Sequence, residues 1–141
     1  MISKTLWEHL SDEGKRVVVI NVPETYPSRK VNGVLISGFL CTDIRKGTYP
    51  PELGEQLKAE GYRIDVDAKK AREDKNHLLK DITLTFRKRT ELFFRLMARE
   101  KWDYLHLHVM CTDRMFHFLW EEMENLFLLL KLVITPPLIF F

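Results

Sequence analysis

Cysteine is scarce in this 141-residue chain: Cys41 and Cys111 are the whole complement, and they stand far apart. No CxxC pair and no Cys/His spacing of a zinc module accompanies them, so neither a disulfide framework nor a thiolate metal clip can be read, and two reduced buried thiols are the expectation. Excess charge is also missing. Lys+Arg number 22 and Asp+Glu 20, a formal net charge of +2, too small to argue for nucleic acid or a membrane surface as partner. The opening MISKTLWEHLSDEGK lacks the apolar stretch of a signal peptide. The longest apolar run, LFLLLKLVITPPLIFF at 126–141, is 16 residues, with Lys131 inside it and Pro136-Pro137 breaking any helix; a membrane span needs about 20. The expectation is a cytoplasmic chain with no membrane span and no nucleic-acid partner. A hydrophobic content of 45% and a charged content of 30% suit a globular protein, and the length suits one domain.

What is present alternates. Residues 3–13 read as a short helix with Ser3 as its cap and Leu6, Trp7 and Leu10 on one face. RVVVINVP follows, a continuous apolar strand of the kind covered on both faces. YPSRKVNG, 26–33, is turn-rich, and VLISGF is a short strand or extended segment. YPPELGEQLKAEGY predicts a helix opened by Pro50-Pro51 and ended near Gly61, and YRIDVDA reads as extended. From about Asn76 to Glu100, Leu79, Ile82, Phe86, Phe93 and Met97 recur at helical steps, with Thr90 filling one gap. WDYLHLHVM is the next strand. This order predicts an α/β fold with a largely parallel sheet and flanking helices. Function in such folds sits at the carboxyl ends of strands, and residues 111–117 follow one.

That segment opens CTDRMFHFLW, 111–120, which sets Asp113 and His117 on the same side of one helical turn. The pair reads either as two metal ligands or as an N-capping aspartate followed by a packed histidine. His106 and His108 alternate on the preceding strand and share a side. With Asp113 and His117 they could complete a four-ligand zinc site; the simpler reading makes them hydrogen-bonded neighbours in a half-buried strand. Residues 69–101 hold eleven Lys/Arg against five Asp/Glu. No aromatic or glycine motif for base contact goes with them, so they read as a solvated helix surface. Met97, Met110 and Met115 read as core fillers.

Taken in order, GKRVVVINVPETYPSRKVNGVLISGF, YPPELGEQLKAEGYRIDVDA and KWDYLHLHVMCTDRMFHFLW resemble the type I phosphodiesterase/nucleotide pyrophosphatase group of the alkaline phosphatase superfamily, in particular its archaeal-type phosphohydrolases. The likeness runs over about residues 3–122. It implies a partial alkaline-phosphatase-like core at 1–125, followed by a divergent hydrophobic tail at 126–141. In that family an Asp-x-x-x-His pair after a strand gives two ligands of a two-metal centre, and the pair in this chain is Asp113 and His117. A carboxylate and an imidazole suit zinc or manganese, and two such ions activate a nucleophile and stabilise a departing phosphoester oxygen.

The resemblance also makes absences visible. The family's N-terminal metal-binding aspartate, its Thr or Ser nucleophile, its later Asp-His pair and its final histidine have no counterpart, and no Asp-His-Gly occurs anywhere. One carboxylate and one imidazole are too few for two cations. The expectation is therefore an interior fragment of a phosphoric-ester hydrolase, catalytically inactive as this chain, with no catalytic residue of its own and weak metal or anion binding near Asp113 and His117. Two alternatives stand beside it: a non-enzymatic module that self-associates through 126–141, and a small metal-binding hydrolase using His106, His108, Asp113 and His117. The apolar tail predicts a homo-oligomer, because that much apolar surface needs cover.

Overall fold

The computed structural model describes residues 3–134, and all side chains among them except those of Ala71 and 126–134; the tail assigned from sequence, and any association through it, lies outside the described side chains. Four strands, β1 (Val17–Val22), β2 (Gly33–Ser37), β3 (Thr48–Tyr49) and β4 (Tyr104–Leu107), form one sheet in the order β3-β2-β1-β4. β1 runs parallel to β2 and to β4, and only the short β3 is antiparallel. The fold is mixed α/β. No helix of the described residues is long and apolar enough to cross a membrane.

β1 is central because its side chains suit burial on both faces: Val17, Val18, Val19 and Ile20 are each 0% exposed. Val18 and Ile20 pack with Val34 and Ile36 against Leu57 of α2 (Pro51–Ala59) and Leu92 and Leu96 of α4 (Lys75–Arg99). On the other face Val17, Val19 and Leu35 meet Trp7 and Leu10 of α1 (Leu6–Asp12). The result is three layers, helix, sheet and helix pair.

Several local expectations shift. Thr5, not Ser3, caps α1: its hydroxyl accepts from the Glu8 amide while its own amide donates to the Glu8 carboxylate at 2.7 Å. This reciprocal Thr-x-x-Glu box satisfies two free end groups at once, which Ser3 cannot match. The backbone hydrogen bond from Thr5 holds the Glu8 carboxyl down at about 2. The 62–67 segment pairs with no strand. It leads instead into a short helix, α3 (Ala68–Glu73), that periodicity did not reveal; Asp67 caps it by accepting from the Lys69 and Lys70 amides.

The face of α4 is the most consequential difference. The buried positions are Leu78, Asp81, Ile82, Thr85, Arg89, Leu92 and Leu96, whereas Leu79, Phe86 and Met97 of the expected stripe stay exposed. α4 therefore carries two faces, a buried one in which Asp81 and Arg89 stand among leucines and an apolar one that stays exposed. The pair Leu78 and Leu79 separates them cleanly. Leu78→Ala should cost about 2–5 kcal/mol, since Leu78 is 0% exposed. Leu79→Ala, at a site 45% exposed, should stay within about 1 kcal/mol. Urea unfolding of the two variants measures both, and equal losses would contradict the burial of the Leu78 face.

Candidate functional site

The carboxyl ends of β1 and β4 lie side by side, and the buried Asn21 and Arg89 meet at the end of β1. β1 does not end straight: its register with β2 shifts between Ile20 and Val22, which leaves Asn21 as a bulge with φ 63. Asparagine tolerates this left-handed backbone better than most residues, and bulges re-aim side chains at strand ends. The Asn21 side chain, 2% exposed, is gripped from two elements. Its amide oxygen faces Arg89 of α4 (Nε 2.7 Å, Nη2 2.8 Å) and its nitrogen faces the Tyr62 hydroxyl at 2.6 Å. Arg89 also donates to the Ile64 carbonyl. Burial pushes the Tyr62 hydroxyl up to about 12, so it stays a neutral hydrogen-bonding group.

Arg89 is 1% exposed, and its hydrogen-bond acceptors are neutral carbonyl oxygens rather than a carboxylate. Its Nη1 and, one turn earlier, the Thr85 hydroxyl find no hydrogen-bond partner among the described residues. The buried acid of α4, Asp81, is committed elsewhere. It pairs with Arg63 at 2.6 Å and accepts from the Asp67 amide at 2.8 Å.

β4 delivers the chain to α5 (Cys111–Ile134). Past its last residue the His108 amide still bonds to the Ile20 carbonyl at 2.9 Å, extending the pairing with β1. α5 then starts at once, and Asp113 is its third residue rather than its N-cap. Its charge still favours the positive end of the helix. His117 follows one turn on, with Nε2 at 3.5 Å from Asp113 Oδ1. Both side chains face solvent, 50% and 67% exposed. Asp113 and His117 thus come together as the sequence spacing required.

The two strand histidines do not join them. His106 belongs to the α1 side of the sheet: its Nδ1 is 3.0 Å from the Tyr104 hydroxyl and its ring is 6.5 Å from that of Trp7. His108, beyond the end of β4, is lowered by burial and then by Arg89 and His106, with Asp113 opposing. Among the described residues no three His, Cys, Asp or Glu side chains converge on a point that could hold a metal.

The Asp113–His117 pair alone has suitable spacing for one ion. Two donors bound to one tetrahedral zinc at about 2.0–2.2 Å lie about 3.4 Å apart, close to the 3.5 Å found. The residues supply half of a coordination sphere. A cleft of about 290 Å³ lies between α1 and loop 24–29 and takes no wall from α5.

Asn21, Tyr62 and Arg89, and an ion pair between Arg114 in the first turn of α5 and Asp65, escaped the sequence reading. One signal was there for Arg89: Asp81, Thr85 and Arg89 recur at four-residue steps in phase with Leu78, Leu92 and Leu96, a polar run inside a buried phase. Comparison of the chain with protein-family models, curated proteins and solved structures gives no match.

Proposed function

We propose that this chain is part of the α/β core of a metal-dependent phosphodiesterase or nucleotide pyrophosphatase of the alkaline phosphatase superfamily, contributing Asp113 and His117 to a divalent-cation centre, and that it has no turnover by itself. The observation that carries this reading is the exposed carboxylate and imidazole, 3.5 Å apart, on the first two turns of the helix that follows β4. In parallel sheets that is where ligands bind.

Two further features support it. The outer edge of β4 pairs with no strand among the described residues, so a further strand added there would bring its own carboxyl end beside Asp113. The exposed face of α4, with Leu79, Phe86, Phe94 and Met97, would then be covered by the elements accompanying that strand. Asp113 and His117 would hold zinc or manganese in such a centre, and the ion would supply Lewis-acid polarisation of a phosphoester oxygen and activation of the attacking group. The work of this chain's residues is narrower: Asp113 and His117 hold the ion, and Asn21, Tyr62 and Arg89 fix the strand end beside them.

The pure chain, given p-nitrophenyl phosphate or bis-p-nitrophenyl phosphate with zinc, manganese or magnesium, is expected to give no turnover above buffer. A rate on the order of 1 s⁻¹ or more that disappears in Asp113→Ala would refute the inactivity of the lone chain. Mn²⁺ binding that neither Asp113→Ala nor His117→Ala alters would refute the ligand assignment.

A second reading is a non-enzymatic module that self-associates through 126–141, the motif being a remnant. It is favoured by the exposed Phe116, Trp120 and Met123 on α5, the helix whose residues 126–134 begin that tail. Light scattering distinguishes it: a dimer that becomes monomeric or insoluble on removal of 126–141 supports it, and a stable monomer of the full chain refutes it.

A further inference from the structure

We infer that Arg114 is a positioning residue that aims the Asp113 carboxylate at the point shared with His117; this rests on the metal-ligand reading of that pair. Arg114 lies between the two in sequence but faces inward, its side chain 13% exposed. Its guanidinium makes a two-pronged contact with Asp65, Nε lying 3.0 Å from Oδ1 and 3.2 Å from Oδ2, with Nη2 also on Oδ2. Its Cζ sits 4.8 Å from the centroid of the Phe39 ring. Three stretches distant in sequence are thereby tied together: the turn after β2, the segment between α2 and α3, and the first turn of α5.

The remaining nitrogen does the aiming. Arg114 Nη1 lies 3.8 Å from Asp113 Oδ2, while Asp113 Oδ1 is the oxygen facing His117 Nε2. The two oxygens are divided, one drawn toward a fixed cation and the other presented outward beside the imidazole. A solvent-exposed aspartate on a helix otherwise samples several side-chain rotamers, and its charge attraction to a neighbouring histidine is weak. A guanidinium is suited to the task because its planar fork is held by Asp65 and its Cζ lies over the Phe39 ring, leaving Nη1 for Asp113. A lysine ammonium offers neither the fork nor the stacking. Partners one step removed from a metal commonly change its affinity by about 10- to 100-fold when lost.

The test compares the full chain with Arg114→Lys and Asp65→Asn, each checked for native circular dichroism. Two readouts are taken: Co²⁺ affinity from its visible absorption, and the Hα–Hβ NMR couplings of Asp113, which report its χ1 populations with no metal present. The expected result is one dominant rotamer in the parent, averaged couplings in both variants, and Co²⁺ binding weaker by about tenfold or more. Unchanged couplings in both variants overturn the inference whatever the metal does. Averaged couplings with unaltered Co²⁺ affinity overturn it as well, because the orientation would then not matter to binding. A parent chain that takes up no Co²⁺ yet shows the rotamer loss refutes the ligand reading of Asp113 and His117 and leaves Arg114 as the residue that orients the carboxylate.

Discussion

Gly38→Ala is expected to leave little or no cooperatively folded protein. A Cβ at this position would stand 2.0 Å from the Asn21 carbonyl oxygen, 2.5 Å from its carbon and 2.9 Å from the Val22 carbonyl carbon. All three are backbone atoms, so no rotamer change relieves the overlap. The only escape is to separate β2 from β1 at the bulge, where the Gly38 amide bonds to the Val22 carbonyl at 2.9 Å. That would open the centre of the sheet, with a cost above about 4 kcal/mol against a total stability of about 5–15 kcal/mol. Gly61→Ala is the control. Its Cβ would meet nothing nearer than Lys88 Nζ at 3.5 Å, so only the strain of its positive φ, about 1–2 kcal/mol, should register. Thermal melts by circular dichroism compare the two; a Gly38→Ala melt as high as that of Gly61→Ala would contradict the close approach at the bulge.

Arg89→Met should lower stability by about 2–4 kcal/mol, and two effects of opposite sign decide this. Removing a buried guanidinium relieves a desolvation penalty, and buried charges replaced by apolar side chains are often neutral or stabilising. The relief is offset because Arg89 is the donor to the Asn21 amide oxygen and the Ile64 carbonyl. Each acceptor left buried and unpaired costs about 1–3 kcal/mol. Asn21 would also lose half of the grip that holds its left-handed backbone. The deficit should lower Tm by roughly 10 °C. An unchanged or higher Tm would mean that the charge is a net burden, kept for something other than stability.

The sequence revealed those elements whose patterns are self-sufficient. β1 could be read from its unbroken Val-Ile run, and α4 to within a residue at each end, because 25 residues of helical periodicity leave little choice. What stayed hidden depends on partners. Leu79, Phe86 and Met97 make a cleaner apolar stripe than the buried face does, so periodicity favoured the wrong side. Asp81 and Arg89 are buried by bonding to Asn21 and to the 63–67 segment, and no window of local sequence contains those bonds. β3 spans two residues, too few for any pattern. At the site, the four-residue spacing of Asp113 and His117 survives because a helix enforces it. The expected companionship of His106 and His108 does not, since His106 turns toward Tyr104 and Trp7 and the strand ends before His108.

The pairing of β1 with β4 also sets a timetable. The two strands join across a long interval: the Arg16 amide reaches Asp103 over a separation of 87 residues. A ribosome adding about 5–20 residues per second takes on the order of ten seconds to make the stretch between them. Until β4 is made, β1 can pair with β2 along one side once that strand exists, and its other side has no partner strand from the final sheet. Its exposed margin is Val-Val-Val-Ile, a β-prone uncharged stretch of the kind that recruits identical strands from neighbouring chains. Yield in a host cell should therefore respond to translation speed and to holdase chaperones more than to the final stability of the folded domain.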